Sequence, residues 1–257
     1  MPSPSNYREF PPAPFLAASV ECFWTSTEPG ASRQPSFHRV LPDRCIDLLF
    51  DFMAAGAQRA SVIGTMTRPL TFATTGPVDL LGVRFRPGGL SGFLAMDAAD
   101  LTDSRADLSH YWGRLAQETW NRLGEATTAN RVCLLQAALG ARARGRPQVD
   151  PFVRHCVARI EATSGGLGVG DLERSTGLSL RQLERKFARD LGISPKTFAR
   201  VVRFKGVAAL AGGPHPPDWA GVAGRFGYAD QSHLVREFKA FSGRTPENYR
   251  AGTHDTP

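Results

Sequence analysis

Basic and amide side chains recur at equivalent positions of two sequence repeats in the last hundred residues. Arg185 and Arg236, which lie 51 positions apart, can each donate two parallel hydrogen bonds to guanine O6 and N7. The amide of Gln231 can pair with adenine N6 and N7 in the same bidentate way. Glu184 can accept a hydrogen bond from cytosine N4, although an i,i+3 ion pair with Arg181 is the simpler interpretation. These residue types predict the reading of base edges in duplex DNA.

Such side chains need helices that point them in one direction. Helical spacing predicts two of these, at about 180–190 and 231–241. The candidate DNA-contacting residues are the outward-facing side chains of these helices: Arg181, Gln182, Glu184, Arg185, Arg189, Gln231, Ser232, His233 and Arg236.

The two helices belong to a duplicated pattern. The landmarks of the first copy are Leu183, Phe187, Gly192, Pro195 and Phe198. A shift of 51 positions gives the landmarks of the second copy: Leu234, Phe238, Gly243, Pro246 and Tyr249. In each copy a short helix and a glycine-containing turn precede the candidate helix, which is the helix-turn-helix arrangement. Two copies in one register are much harder to obtain by chance than one.

Local signals predict the boundaries and the buried sides of these elements. Gly177 can take the left-handed conformation that ends a helix, and Ser179 is a suitable N-cap for the next one. The residues expected to be buried in the two candidate helices are Leu180, Leu183, Phe187, Leu191, Leu234, Phe238 and Phe241. A helix over 195–211 should join the copies and extend ~25 Å, against the ~34 Å between successive major-groove faces. Gly206 and the proline-rich segment 213–217 leave the stiffness of this connection open.

The C-terminal part carries the positive charge of the chain. Residues 1–150 hold 15 Lys and Arg against 14 Asp and Glu, whereas residues 151–257 hold 16 against 10. A basic region favours a polyanionic partner, because neutralised phosphates release condensed counterions. A solvated basic surface without a ligand is equally compatible with the charge alone.

Composition limits the other classes of function. The chain has 257 residues, of which 42% are hydrophobic and 21% charged, as is typical of a globular protein with one or two domains. No apolar run is long enough to span a bilayer and the first residues do not resemble a secretory signal, so we expect a cytoplasmic protein without membrane contact. The cysteines lie far apart and the histidines lack metal-ligand spacing, which predicts no disulfide, no metal site and no cofactor.

The N-terminal part has the pattern of a β-rich domain. Short apolar runs between Gly, Pro, Ser and Thr clusters indicate an antiparallel barrel or sandwich, with helical spacing from about residue 108 onward. The sequence therefore predicts a two-domain α+β chain. Its parts are a β-rich sensor or dimerisation domain at 1–107, a helical connector and linker at 108–148, and an all-α tandem helix-turn-helix domain at 149–257.

The C-terminal region resembles the AraC/XylS family of bacterial transcription regulators. The stretches that carry the resemblance are Leu178–Phe187, Gly192–Phe198, Gly227–Leu234, Phe238–Phe241 and Thr245–Arg250. The resemblance implies two helix-turn-helix subdomains, joined by a long helix, that bind promoter DNA. In that family the positions held here by the following residues approach bases or phosphates: Arg181, Glu184, Arg185, Gln231, Ser232 and Arg236. An activator of this kind would also contact RNA polymerase.

The N-terminal part is similar to an uncharacterised sensor-type domain found in a subset of these regulators. The matching stretches are 40–49 and 81–89. The similarity implies a cupin-like β fold, with a small-molecule effector or a second copy in a homodimer as its partner. It does not identify an effector.

Two places in the N-terminal part offer chemistry of their own. Arg84 and Arg86, next to a glycine-rich turn, are a candidate anion site for an acidic effector. The simpler interpretation pairs them with carboxylates such as Asp47 or Asp79. Cys45 is a candidate alkyl acceptor, since some relatives of the family accept alkyl groups on cysteine, although a buried packing cysteine is simpler.

The function predicted from the sequence is a sequence-specific DNA-binding transcription regulator without catalytic residues. Two other classes stay open. One is a DNA-binding protein with alkyl-acceptor chemistry at Cys45, and the other is a helical module that binds proteins.

Overall fold

The computed structural model describes residues 6–30, 36–56, 59–143 and 149–251. Strands and 3-10 helices dominate the first hundred residues, and α-helices dominate the rest. The predicted α+β organisation is confirmed. In the described part of the chain no helix is long and apolar enough to cross a membrane.

The strands pair antiparallel, as their pattern predicts. They are β1 (Arg8–Phe10), β2 (Val20–Glu28), β3 (Ser36–Val40), β4 (Ile46–Asp51), β5 (Ala60–Ile63), β6 (Leu70–Thr74), β7 (Val78–Phe85) and β8 (Arg105–Asp107). Six of them form one sheet in the order β1-β2-β7-β4-β5-β8, and β3 pairs with β6 in a separate ribbon.

Side-chain alternation gives the large sheet two different faces. Phe23, Leu48 and Val83 lie side by side on β2, β4 and β7 and are fully buried in the main core. One position further along, Asp47 pairs with Arg84 across the same strands. These two charged residues therefore lie on the opposite face of the sheet.

Three helices follow the sheet: α1 (Ser109–Trp112), α2 (Arg114–Gly124) and α3 (Thr128–Ala143). Trp112, Leu123 and Leu135 belong to the same hydrophobic core as the strands. The Arg131 guanidinium on α3 also lies 2.8 Å from Asp79 Oδ1 on β7. The helices of the predicted connector are thus packed onto the sheet.

The linker predicted at 141–147 begins within α3, and residues 144–147 lie outside the described residues.

The C-terminal part consists of helices with two hydrophobic cores. The helices are α4 (Pro151–Ala162), α5 (Val169–Thr176), α6 (Leu180–Leu191), α7 (Pro195–Ala211), α8 (Trp219–Arg225), α9 (Gln231–Ser242) and α10 (Pro246–Ala251). On α7, Phe198 lies in the first core and Phe204 in the second. The long helix predicted over 195–211 is therefore present and is shared by both units.

Candidate nucleic-acid interface

The first helix-turn-helix unit is formed by α5, a short turn and α6. Gly177 ends α5 in the left-handed conformation, with φ of 69°, as its position predicts. The Ser179 backbone N–H donates to Gln182 Oε1 at 2.9 Å, and the Leu180 N–H donates to Glu173 Oε1 at 2.7 Å. These bonds satisfy backbone donors at the start of α6 that have no partner within the helix. The Gln182 side chain is therefore engaged in capping the N-terminus of α6.

The outer face of α6 presents charged side chains to solvent. Arg181, Glu184 and Arg185 are exposed, whereas Leu183 and Phe187 are buried. The ion pair expected between Arg181 and Glu184 does not form in the described part of the chain. Among the described residues Arg185 has no hydrogen-bond or ion-pair partner either, so its guanidinium is available to a ligand.

One residue of α6 differs from the sequence prediction, and another is engaged by partners within the protein. Leu180 was expected in the buried stripe but is 41% exposed. As the first residue of α6 it covers the surface on its N-terminal side, where only the turn lies. Arg189 was expected on the DNA-contacting face, yet its Nε lies 2.6 Å from Asp190 Oδ1 and its Nη2 lies 3.3 Å from Asp150 Oδ2. The hydrogen bond to Asp190 raises the pKa of Arg189. The side chain is 52% exposed, but its guanidinium is paired within the unit.

The second unit repeats this design with α8 and α9. Asp230 caps α9 by accepting a hydrogen bond from the His233 N–H at 2.6 Å. Gln231, Ser232 and Arg236 are exposed on the outer face, and Arg236 has no partner among the described residues. Arg185 and Arg236 therefore occupy equivalent and similarly accessible positions in the two units.

His233 is less available than the other candidates on α9. Its ring meets the Tyr228 ring edge to face at 5.3 Å between centroids. Its Nε2 lies 3.9 Å from Glu237 Oε2, and its Nδ1 accepts from the Ala229 N–H at 3.4 Å. These contacts place the imidazole within the packing of the second unit.

Sequence reasoning missed the ion pairs that attach α6 and α9 to the rest of the domain. In the first unit Lys186 Nζ lies 2.5 Å from Asp150 Oδ2. At the equivalent position of the second unit, the buried Glu237 carboxylate lies 2.7 Å from Arg200 Nε and 3.3 Å from Arg203 Nη2, both on α7. The signal was present, since Glu237 sits between apolar residues on the buried side of α9, where a carboxylate needs a cationic partner.

The joining helix α7 continues without a break through Gly206. A methyl group at this position would lie 2.3 Å from Phe226 Cε1. The absence of a side chain lets the buried Phe226 ring, at the end of α8, pack directly against α7. Gly206 therefore serves a close contact between the two helices.

The candidate effector residue Arg84 is surrounded by carboxylates. Its Nε lies 3.3 Å from Asp43 Oδ2 and 3.7 Å from Asp47 Oδ1, and its Nη1 lies 3.7 Å from Glu9 Oε1. Burial raises the pKa of Asp47 to about 7, against the opposing effect of Arg84. The expected pairing of Arg84 with Asp47 is confirmed.

Arg86 lies apart from this charged cluster. It is exposed, and its Nε donates to the Ala17 carbonyl at 2.9 Å. The turn that follows leads into a 3-10 helix of only four residues, Gly89–Gly92. The carboxylate pairing expected for both arginines therefore forms for Arg84 only, and Asp79 pairs with Arg131 instead.

The candidate alkyl acceptor Cys45 is buried. Its thiol lies 3.5 Å from Glu21 Oε2. Burial, followed by the nearby Asp43 and Glu21 carboxylates, raises the pKa of Cys45 well above the usual value for a thiol. Because the thiolate is the reactive form, this environment makes Cys45 a poor nucleophile. Across the described ranges no cluster of His, Cys, Asp and Glu is arranged to hold a metal ion.

Two family descriptions match the chain. Residues 172–252 match a family described as a helix-turn-helix domain. Residues 8–107 match a family described as a domain of unknown function (DUF6597). The first range covers α6 and α9 with their turns, and the second covers the β-rich part.

Solved structures of similar proteins were also found. A probable AraC family transcriptional regulator from Rhodopseudomonas palustris is 27% identical, over 40% of this chain and 96% of its own, with a TM-score of 0.36. The C-terminal domain of AraT, a response regulator from Geobacillus stearothermophilus, is 25% identical over 43% and 92%, with a TM-score of 0.39. ToxT from Vibrio cholerae is 8% identical over 89% and 98%, with a TM-score of 0.49.

Proposed function

We propose that the chain is a DNA-binding transcription regulator of the AraC type, and that α6 and α9 enter two successive major-groove segments of one duplex. The observation that supports this most is the equivalence of Arg185 and Arg236. Both are exposed, and neither has a partner among the described residues. A single chain would then supply the two reading helices that a dimer supplies in many other DNA-binding proteins.

The proposed DNA contacts are assigned according to whether each side chain already has a partner within the protein. We assign Arg185 and Arg236 to guanine and Gln231 to adenine, because these side chains can make bidentate bonds to base edges. Arg181, Glu184 and Ser232 complete the exposed faces and lie within reach of phosphates or base edges. Gln182, Arg189 and His233 already have partners within their units, and their role is to hold the helices.

The β-rich part is proposed to carry the regulatory input, as an effector-binding or dimerising unit of a cytoplasmic regulator without enzymatic activity. An acidic effector at Arg84 would have to displace Asp43, Asp47 or Glu9 from the guanidinium. The neutral, buried thiol of Cys45 argues against alkyl transfer. If the protein activates transcription, RNA polymerase is its further partner.

The test is selection of binding sites from a randomised duplex library with the full chain, followed by measurements on the selected site. Arg236→Ala should weaken binding to that site about 5- to 150-fold, as loss of one bidentate contact costs about 1–3 kcal/mol. It should also relax the preference at one base pair while leaving nonspecific binding nearly unchanged. Arg114→Ala, an exposed site on α2, is the control. An equal loss on all sequences would contradict base reading by Arg236.

A further inference from the structure

The C-terminal end of α6 is held by the β-rich part of the chain. The buried Thr65 Oγ1 donates to the Leu191 carbonyl at 2.6 Å. Thr102 Oγ1 donates to the carbonyl of Gly192, the left-handed residue that ends the helix. The fit is close, because a methyl group at Gly192 would lie 2.7 Å from the Ala98 carbonyl oxygen.

The C-terminal end of α9 is held by a different element of the same part. Arg39, on strand β3 of the two-stranded ribbon, donates from Nη1 to the Ser242 carbonyl at 3.1 Å. Gly243 ends this helix in the left-handed conformation, with φ of 74°. A methyl group there would lie 3.8 Å from Pro69 Cγ, next to β6.

The two attachments are equivalent in the repeat. Leu191 and Ser242 are 51 positions apart, as are Gly192 and Gly243. The last carbonyls of a helix have no partner within it and carry partial negative charge, so hydroxyl and guanidinium donors stabilise them. The base-reading side chains of a recognition helix lie toward its N-terminal end. The β-rich part therefore contacts both helices at the end that a duplex leaves free.

We propose that Arg39, Thr65 and Thr102 are positioning residues that fix the separation and relative orientation of α6 and α9, and thereby the spacing between the two DNA segments that the chain accepts. This inference rests on the proposed function. Changing the spacing by one base pair moves one segment by about 3.4 Å and rotates it by about 35°. Hydrogen bonding to base edges tolerates only about 0.5 Å of misplacement, so a rigid pair of helices accepts one spacing.

The β-rich part completes a second connection between the two units. Without it, α6 and α9 are joined through α7 alone, with Lys186 and Glu237 fixing each helix to its own unit. With it, the ends of both helices are attached to one further body. A change in that body, such as effector binding, would reach both reading helices through these three donors.

The experiment uses the full chain and the site selected by the wild-type protein, with zero, one or two base pairs added or removed between its segments. Wild type should bind the altered sites at least about tenfold more weakly. The triple variant Arg39→Met, Thr65→Val, Thr102→Val should lose most of this spacing penalty, while each segment keeps its own base preference. Thr65→Ser with Thr102→Ser retains both hydroxyls and should restore wild-type spacing selectivity, and Arg114→Met is the control for the arginine.

Each possible outcome either supports the proposed role of the three donors or contradicts it. A spacing penalty that stays at the wild-type level in the folded triple variant overturns the proposal, because the three donors would then not be needed to position the helices. Tighter binding at every spacing with the penalty unchanged overturns it as well, and would mean that the β-rich part obstructs DNA. If the triple variant does not fold, the spacing penalty is measured on the single variants Thr65→Val and Arg39→Met instead. Failure of the wild-type chain to select any DNA would instead refute the proposed function.

Discussion

Replacing Gly206 by alanine should change the stability of the protein in two opposite ways, through helix propensity and through steric crowding. In the interior of a helix, alanine is favoured over glycine by about 1 kcal/mol. At Gly206, however, the added methyl group would lie 2.3 Å from Phe226 Cε1 and 2.9 Å from Cζ. Carbon atoms in contact prefer a separation of about 3.5–4.0 Å, so the ring would have to move by more than an ångström.

The packing effect should be the larger one. Phe226 is buried in the second core together with Phe204 and Phe238, so its ring can move only by disturbing that packing. Extra methyl groups in a packed core cost about 1–3 kcal/mol. After the gain in helix propensity is subtracted, we expect Gly206→Ala to lower the free energy of unfolding by about 1 kcal/mol.

A matched variant on the neighbouring helix isolates the contact. At Gly224, on α8, a methyl group would have no atom within 4 Å, so Gly224→Ala should raise the free energy of unfolding by up to about 1 kcal/mol. Urea denaturation of the two full-length variants, followed by the far-ultraviolet circular dichroism of the helices, measures the difference. If both substitutions stabilise the protein to the same degree, the close packing of α7 against Phe226 is refuted.

Two further predictions concern the β-rich part. Since the folded-state pKa of Asp47 is raised to about 7 from an ordinary 3.8, the contribution of this group to stability is present at low pH and is lost as the pH rises from about 4 to about 7. Asp47→Asn should flatten the fall in thermal midpoint across that window, and an unchanged slope would count against the burial of this carboxylate. Among the thiols, the exposed Cys133 should react with an alkylating agent in the native protein at neutral pH while the buried Cys45 does not. Mass spectrometry that finds selective modification at Cys45 would reopen the alkyl-acceptor function.

The C-terminal elements could be predicted from sequence because their signals are local. Gly177 and Ser179 lie at the helix boundaries that their backbone preferences and capping chemistry indicate. The apolar stripe of α9 follows from a spacing of three and four residues. What could not be predicted depends on residues distant in sequence. Arg189, for example, is engaged by Asp150, 39 positions away.

In the β-rich part the strands were predictable but their neighbours were not. The apolar residues of Val78–Phe85 are typical of a strand, but only the fold places this strand, β7, between β2 and β4. In the fold Arg84 is surrounded by Glu9 from β1 and by Asp43 and Asp47 from β4 and the residues just before it. The attachment of Arg39 to the end of α9 joins residues more than two hundred positions apart, and no local pattern contains it.

The internal ion pairs reduce the number of cations in the basic C-terminal part that are available to phosphates. Its excess of positive charge suggests a surface that attracts phosphates, but Lys186 and Arg189 are matched by Asp150 and Asp190 within the first unit. Charges paired in this way release few counterions when DNA binds, because they are already neutralised.

Among the cations that remain for DNA are the exposed ones on the outer faces of α6 and α9. Arg181 and Arg185 lie on the first helix, and Arg236 and Lys239 lie on the second. In the described part of the chain none of the four has a carboxylate partner. The proposed reading helices therefore keep cations for phosphate, while the ion pairs of Lys186, Arg189 and Glu237 hold those helices in place.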